Sequence, residues 1–514
     1  MGTVTGGVGE RRDDAPEAGA AGLPVFARGP VTAVAVALAA LLAVFAGRYG
    51  YHRDELYFLA CGRHLAWGYP DQPPLVPVIA WLMSHLAPGS LVMLRLPSAL
   101  ASGALVVLTG LIARELGARR GGQALAAVCV AVAPVVIGSG HLLSTTTFGL
   151  PAWALVLWLV LRILRTGNDR LWLLTGLVTG AGLFDSDLIA FLLSAIVTGL
   201  AIAGPRRPLR SPWLYAGGAV ALAMWAPYLA WQAGHGWPEL AVAASIANGG
   251  SGSSAPRWEI LPYQLLLIGG WLSPVLVAGL VRLLRGGPLR WCRCLGVGFV
   301  VLVVVFTVTG GKPYYLAGTY PVLLAAGAQP AVDWARRGRA RLRPGLLTAA
   351  AAVTLIAIPV TLPVVPVAGV HATPIVALNY DAGETIGWPA FVREIAAVYR
   401  SLPAPQRAAA IVLGSNYGES GAVDRFGRGD GLPPAYGVHN GYWEWGPPPA
   451  SATVAVAVGF SRPALAPFCG TLRLAAHLDN HLGVGDDEQG APVWVCSALR
   501  TTWPVIWQHL HNIG

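Results

Sequence analysis

Apolar stretches separated by short polar loops fill the first two thirds of the chain. Between about residues 31 and 363 they recur at lengths of roughly 15 to 22 residues, the length with which a helix crosses about 30 Å of hydrocarbon. The pattern predicts about eleven transmembrane helices. The predicted spans are 31–47, 91–113, 123–138, 148–165, 171–184, 187–204, 213–231, 262–281, 295–309, 316–331 and 345–363.

Arginine-rich loops set the orientation of these spans. Arginines cluster on alternate sides of successive spans, at 119–120, 162–170, 206–210, 282–293 and 335–344. Because loops rich in positive charge remain cytoplasmic, the opposite loops are predicted to lie outside. The predicted external segments are 48–90, 141–147, 184–187, 232–262, 310–315 and everything after about residue 363.

The two ends of the chain have different patterns. Residues 1–29 have mixed charge and few apolar positions, which predicts a disordered cytoplasmic leader without the form of a cleavable signal peptide. After about residue 363, polar residues return and short β-rich runs alternate with turns. The runs at 408–414, 452–460, 472–478 and 491–499, with helical spacing at 389–402, predict a small extracytoplasmic α/β domain over 364–514. The membrane domain is then 30–363, with the external loop 48–90.

The composition agrees with a membrane protein. Of 514 residues, 55% are hydrophobic and only 12% charged, and the mean hydropathy is +0.57, which excludes an ordinary soluble domain. The net charge of +10 follows from the basic cytoplasmic loops, so it does not indicate a nucleic-acid partner. We therefore expect a multi-pass protein of the plasma (inner) membrane, in contact with the lipid bilayer along most of its length.

Two cysteines are candidates for a disulfide bond. Cys469 and Cys496 are the only cysteines in the predicted external domain, where oxidation is permitted. A bond between them would contribute roughly 3 to 4 kcal/mol by restricting the unfolded chain. The alternative is a pair of buried free thiols.

The first external loop carries an unusual group of charges, "HRDE" at 52–55. One interpretation is structural, with Asp54 capping a helix and Glu55 in its positive first turn. The neighbouring stretches favour a site instead. The stretch "ELYFLACGRHLAWG" predicts an amphipathic helix on the membrane surface, and "YPDQPPL" predicts a proline-stiffened turn that presents Asp71 and Gln72.

The chain has a single lysine, Lys312, among 35 basic residues. It lies in the predicted external loop "GGKPYY", against the usual orientation of positive charge, and beside Tyr314 and Tyr315. A cation in such a place can bind a lipid phosphate or line a sugar site. The alternative is that a lone lysine lies there by chance.

The motifs "RDELYF" and "DQPPL", short external loops, and a tail with "YDAGETIGWPAFV", "GSNYGESGAVDRFG" and "HNGYWEWGPP" together resemble a known class. It is the GT-C fold membrane glycosyltransferases of the protein O-mannosyltransferase (family 39) and aminoarabinose-transferase type, especially bacterial and actinobacterial members. The resemblance implies a polytopic α-helical fold and inverting transfer of a sugar from a polyprenyl-phosphate carrier to a hydroxyl-bearing acceptor at the outer membrane face. It also implies that Asp54 is the catalytic base, with Glu55 as a supporting or structural acid.

Further positions are candidates for binding the sugar donor or the substrate. They are His52, Arg53, Asp71, Gln72, His141, His235, Trp237, Lys312, Tyr314 and Tyr315. Members of the resembled class often carry an acid near Gly149, and Asp185 or Asp187 is a candidate replacement. Some members have Lys where Gln72 stands, so their sugar preference is not carried over. The loop "ANGGSGSSAPRW" is either a lid over the site or a plain linker.

Two other classes remain as alternatives. One is a non-catalytic membrane scaffold or acceptor-binding protein with an external domain, and the other, less favoured, is a secondary transporter, which would place ionisable residues in mid-membrane. No compact cluster of metal-binding side chains is present in the sequence, so we predict no cofactor, although a divalent metal is not excluded. The identity of the sugar, and whether the acceptor is protein, lipid or cell-wall glycan, stay open.

Overall fold

A computed structural model describes residues 22–285, 287–337 and 354–514. Its N-terminal part is helical throughout. The helices are α1 (Arg28–Phe45), α2 (Arg53–Arg63), α3 (Leu75–Leu86), α4 (Leu91–Glu115), α5 (Arg120–Ala131), α6 (Pro134–His141), α7 (Thr145–Thr166), α8 (Leu171–Leu183), α9 (Leu188–Ala203), α10 (Pro212–Gly234), α11 (Pro238–Ala247), α12 (Ile260–Ile268), α13 (Ser273–Leu284), α14 (Arg293–Thr309) and α15 (Tyr320–Arg337). Shorter 3-10 turns occur at Arg207–Arg210, Arg257–Glu259, Arg290–Cys292 and Pro313–Thr319.

Several of these helices suit a bilayer, and the chain is a multi-pass membrane protein. Within the described residues, 4 helices are long and apolar enough to cross a membrane, or up to 6 if each of two bent pairs forms one span. Helices α8 and α9 are apolar but shorter. Of the predicted leader 1–29, only 22–29 lies within the described residues. Of the predicted span 345–363, only 354–363 lies within them, and 354–361 is helical.

Two predicted spans are broken where the sequence predicted continuous helices. Helices α5 and α6 meet at 56°, because Pro134 cannot donate a backbone hydrogen bond to the preceding turn and instead starts a new helix. The second pair, α12 with its preceding 3-10 turn and α13, is bent by 119°. Gly269 and Gly270 both have positive φ there, a conformation that side chains other than glycine disfavour.

The C-terminal part is an α/β unit with a five-stranded sheet. Its strands are β1 (Ala410–Gly414), β2 (Ala435–Gly437), β3 (Val454–Val458), β4 (Cys469–His477) and β5 (Pro492–Leu499). Its longer helices are α16 (Trp388–Ser401), α17 (Tyr417–Phe426) and α18 (Trp503–Leu510), with short turns at Val367–Ala372, Ile375–Leu378, Tyr380–Gly383, Ala404–Ala408, Gly427–Asp430, Gly441–Glu444 and Arg462–Leu465.

The sheet has the order β2-β1-β3-β5-β4, with β1 parallel to β2 and β3, and with β5 antiparallel to β3 and β4. All four predicted runs are strands, and only β2, three residues long, was missed. Cys469 and Cys496 lie on the paired strands β4 and β5 and form a disulfide bond.

The C-terminal unit packs directly on the segment between α1 and α4. Leu56, Tyr57 and Ala60 of α2 are buried in one hydrophobic cluster with residues of α16, α17 and the sheet. At Gly421 of α17 an added Cβ would lie 2.9 Å from the Leu56 Cβ, so the two helices are in close contact. The apolar face of α2 is thus covered by protein, and the position of this helix at the membrane surface stays a prediction.

Candidate functional site

A cavity of about 770 Å³ lies between one end of the membrane helices and the C-terminal unit. The membrane part contributes α2, the turn before α3, the first turns of α7, the α8–α9 loop, α11 and the segment from Phe306 to Gly318. The C-terminal unit closes the opposite side with Tyr417, His439, Asn440, Asp487 and residues 512–514. The cavity is therefore lined by segments from nearly the whole length of the chain.

Asp54 reaches this cavity from the first turn of α2. His52, not Asp54, caps the helix, with its side chain accepting a hydrogen bond from the Asp54 amide, so the capping interpretation of Asp54 is wrong. The Asp54 carboxylate is 39% exposed and accepts a 2.9 Å hydrogen bond from the Tyr417 hydroxyl. It is held in place yet keeps lone pairs open to the cavity.

Glu55 points away from the cavity into a buried ion pair. Arg95 of α4 donates to both of its carboxylate oxygens, at 2.8 and 2.7 Å, and the backbone amides of His52 and Leu143 donate at 2.9 Å. Glu55 is 0% exposed and Arg95 is 1% exposed. The position supports the structural role named for Glu55 and corrects its grouping with the catalytic residues, because a carboxylate with its four acceptor sites filled has no access to substrate.

His52 and Arg53 flank Asp54 but differ in access to the cavity. His52 is buried behind the helix, 3.6 Å from Asp381, and does not line the cavity, so direct substrate binding by His52 is not supported. Burial opposes its charged form, but the nearby Asp54 and Asp381 outweigh this and raise the pKa of His52. Arg53 does line the cavity, and donates to Asp487 at 2.6 Å.

Asp71 and Gln72 both line the cavity next to α2. Asp71 accepts hydrogen bonds of 2.9 Å from the Tyr57 hydroxyl and from the Asn440 side chain. Burial raises its pKa to about 6. Asn440 has a positive φ of 46°, an unfavourable conformation for a residue with a side chain, which the surrounding contacts maintain.

Lys312 lies on the cavity wall together with Tyr314 and Tyr315. Its ammonium group donates a 2.8 Å hydrogen bond to Ser251 and lies 5.9 Å from the centre of the Tyr314 ring. Ser251 belongs to the Gly/Ser loop, and with Gly250 and Gly252 it also lines the cavity. This loop is thus attached to the cavity wall through the only lysine of the chain.

Three more carboxyl groups line the cavity near the α8–α9 loop. Asp187 accepts from Trp225 at 3.1 Å and from Tyr228 at 3.3 Å, and Tyr228 also donates to Glu239. Asp185 is 1% exposed, and neither of its carboxylate oxygens has a hydrogen-bond partner among the described residues. Burial raises the pKa of Asp185 well above its ordinary value.

Three further predicted binding residues, in addition to His52, lie outside the cavity lining. His141 is buried beside Arg95, 3.3 Å from its guanidinium, below the loop rather than in the site. His235 is exposed and stacks on Trp231, to whose carbonyl its ring nitrogen is hydrogen-bonded at 2.8 Å. Trp237 is 44% exposed at the start of α11. The structure does not bring these three to the candidate site.

Similarity to known proteins agrees with this architecture. Residues 71–231 match the family model described as "Dolichyl-phosphate-mannose-protein mannosyltransferase". The structure of ArnT from Cupriavidus metallidurans bound to undecaprenyl phosphate is 15% identical, with a TM-score of 0.57, covering 91% of this chain and 98% of that one. The apo structure of the same protein is 16% identical, with a TM-score of 0.55, covering 90% of this chain and 97% of that one. The chain has the GT-C glycosyltransferase fold.

The resemblance that the sequence motifs indicated is thereby confirmed for the fold. No protein with a curated description matches the sequence. In this GT-C fold the matched segment contains Asp71, Gly149 and Asp185, whereas Asp54 and Lys312 lie outside it.

Sequence reasoning missed most of the cavity wall that the C-terminal unit provides. Tyr417, His439 and Asn440 were within quoted motifs but were not singled out, and neither was Asp487. Other polar side chains of the C-terminal unit stabilise the fold instead. Glu384 pairs with Arg53, Asn416 and Glu419 form a helix cap, and Asp424 accepts from Tyr442.

Among the described residues, no group of three or more His, Cys, Asp or Glu side chains has the arrangement of a metal site. The expectation that no cofactor is required stays a prediction.

Proposed function

We propose that this protein is a membrane glycosyltransferase that transfers a sugar from a polyprenyl-phosphate carrier to a hydroxyl-bearing acceptor at the outer membrane face. The observation that carries the proposal is Asp54. In a GT-C fold, its partly exposed carboxylate faces a cavity between membrane helices and an α/β unit. That a protein of the same fold binds undecaprenyl phosphate, and that the matched family is named for a dolichyl-phosphate-mannose donor, supports a polyprenyl-phosphate carrier.

The chemistry is a single displacement at the anomeric carbon of the sugar. The acceptor oxygen forms a bond to this carbon, the bond from the carbon to the phosphate oxygen breaks, and polyprenyl phosphate leaves. Asp54 takes the proton of the acceptor hydroxyl, which is the role of a general base. Attack from the face opposite the phosphate inverts the anomeric centre.

The leaving phosphate needs positive charge or hydrogen-bond donors. Lys312 and Arg53 are the basic side chains that line the cavity in the described part of the chain. Lys312 is the stronger candidate for this role, because its direct hydrogen-bond partner there is the neutral Ser251, whereas Arg53 is already paired with carboxylates.

The deciding experiment compares wild type with Asp54→Asn, purified in detergent, for release of labelled sugar from a panel of polyprenyl-phosphate sugars with a bacterial membrane extract as acceptor. Loss of a general base should lower turnover at least about 100-fold. The matched control is Asp430→Asn, on the surface of the C-terminal unit, which should turn over normally. Equal turnover by wild type and a folded Asp54→Asn would remove Asp54 from the mechanism. A folded wild type that consumes no donor would favour the scaffold alternative.

A further inference from the structure

The buried carboxyl group of Asp185 is used by none of the steps above. Folded proteins pair nearly all their buried polar groups, because an unpaired one costs several kcal/mol. Asp187, two residues along the same loop, obeys that rule through Trp225 and Tyr228. Asp185 lines the same cavity, is 1% exposed, and makes no hydrogen bond through either carboxylate oxygen within the described residues. An unpaired group facing a cavity indicates a partner that binds there.

Open space adjoins this carboxyl group on the side of α7. A Cβ added to Gly149 would lie 3.2 Å from Asp185 Oδ2, and no other described atom outside its own helix would lie within 4 Å of it. Thr145 and Thr146, on the first turn of α7, line the same cavity. Together Asp185, Gly149 and these two threonines form what we call the Asp185 corner.

The corner is connected to the remainder of the site by backbone contact. The amide of Leu75 donates a 2.8 Å hydrogen bond to the carbonyl of Phe184, the residue before Asp185. This bond joins the α8–α9 loop to the turn that carries Asp71. A ligand in the corner therefore lies alongside the wall from which Asp71 faces the cavity.

The hydrogen-bonding capacity of the Asp185 carboxyl group indicates which kind of ligand the corner can bind. An ionised carboxyl offers only acceptor sites, so it needs hydrogen-bond donors, and its charge repels phosphate. A protonated carboxyl, which burial favours, accepts and donates as a hydroxyl group does. Hydroxyl or amino groups on a sugar ring satisfy both forms, whereas a phosphate diester carries no proton to donate.

We propose that the Asp185 corner binds the sugar ring of the donor through its hydroxyl or amino groups, while the carrier phosphate binds elsewhere in the cavity. This inference rests on the proposed function and assigns the sugar-recognition part of the same site. It makes Asp185 a specificity-determining residue and Gly149 the position that keeps the corner open.

The test measures dissociation constants in detergent for two kinds of probe. One is sugar-free undecaprenyl phosphate, and the other is a panel of undecaprenyl-phosphate mannose, arabinose and 4-amino-arabinose. Asp185→Leu and Gly149→Ala should weaken binding of the preferred sugar-bearing probe by about tenfold, the value of one hydrogen bond to a charged or buried group. Both should leave binding of undecaprenyl phosphate unchanged. The control, Asp169→Asn, lies at the opposite end of α8 and should change neither affinity.

A stability measurement separates recognition from a structural role. Asp185→Leu removes an unpaired buried group, so the midpoint of its thermal unfolding should rise even as sugar affinity falls. A lowered midpoint would make the carboxyl structural and overturn the proposal. Gly149→Ala is favourable for a helix, so loss of sugar affinity in this variant is not a folding defect.

The remaining outcomes are also decisive. Unchanged affinity of both variants for the sugar-bearing probe overturns the sugar site but leaves the glycosyltransferase proposal intact, and so does a wild type that binds every probe alike. Equal loss for both kinds of probe assigns the corner to the phosphate instead. Binding of Mg²⁺ or Mn²⁺ that is lost in Asp185→Leu assigns it to a cation. A wild type that binds no polyprenyl phosphate removes the proposed function itself.

Discussion

The two faces of helix α2 place neighbouring carboxylates in opposite environments, one buried and one partly exposed. The inner face, which points towards α4, holds Glu55 against Arg95 with every acceptor site of the carboxylate filled. The cavity face holds Asp54 by a single hydrogen bond from Tyr417 and leaves it 39% exposed. Residues one apart on a helix point in different directions, so a single turn serves two purposes.

The difference separates structural acids from candidate reactive ones. On the inner face, the hydrogen bonds to Glu55 come from the Arg95 side chain and from the backbone amides of His52 and Leu143. On the cavity face, the C-terminal unit donates through Tyr417 to Asp54 and through Asn440 to Asp71, and Tyr57 of α2 also donates to Asp71. Both acids remain on the cavity wall. The C-terminal unit is therefore part of the candidate site.

Removing the charged partner of Glu55 on the inner face should have the strongest consequence. Arg95→Leu leaves the Glu55 carboxylate buried without its charged partner, and such changes cost about 3 to 5 kcal/mol. We expect a steep loss of folded protein, measured as yield after size exclusion and as the midpoint of thermal unfolding in detergent.

The double variant Glu55→Leu/Arg95→Leu is the control for that interpretation. Removing both charges should recover part of the lost stability, because no unpaired buried charge remains. The folded fraction should retain sugar transfer, since Glu55 does not reach the cavity. A stable but inactive double variant would return Glu55 to the catalytic group and break the comparison between the two faces.

The pH dependence of stability tests the environment of Asp71 on the cavity wall. Burial raises the pKa of Asp71 from 3.8 to about 6, so between these pH values the folded state keeps a proton that the unfolded chain has lost. Stability from this group is present in full below about pH 4 and falls as the pH rises to about 6, by at most about 3 kcal/mol. The actual decrease in stability should be smaller than this limit, because the carboxyl group of Asp71 opens to the cavity.

An asparagine side chain does not titrate, so the Asp71→Asn variant should lack this part of the decrease in stability with rising pH. The measurement is the midpoint of thermal unfolding from pH 4 to pH 7 for both proteins, with Asp430→Asn as a carboxylate control that keeps the slope. Parallel curves for wild type and Asp71→Asn would show that Asp71 is solvated like a surface acid, contrary to its pairing with Tyr57 and Asn440.

Local patterns in the sequence account for much of this fold. Apolar runs locate the membrane helices, and the β-rich runs locate β1, β3, β4 and β5, because both are repeats over a few residues. The breaks at Pro134 and at Gly269–Gly270 were missed, since hydropathy averages over the single residues that cause them. Strand β2 has three residues, too few for a periodic signal.

The candidate site was predicted only on the membrane side, for a physical reason. Charge and sidedness of loops led to Asp54, Asp71 and Lys312, all of which line the cavity. The Tyr417 hydroxyl reaches Asp54 across 363 positions of sequence, a contact that no local pattern contains. Glu55 and His141 were chosen because they lie in predicted external segments, yet burial beside Arg95 removes both from the cavity.

A milder change isolates what the C-terminal unit contributes to Asp54. Tyr417→Phe removes the hydroxyl that holds the Asp54 carboxylate and keeps the ring that stacks on Tyr57. Turnover should fall about tenfold, the value of one hydrogen bond to a charged group, with little change in thermal stability. Tyr399→Phe, which removes a hydroxyl bonded to the Arg407 carbonyl in the same unit, is the matched control and should keep full turnover. If Tyr417→Phe is as active as wild type, the C-terminal wall only encloses the cavity, and Asp54 is positioned by α2 alone.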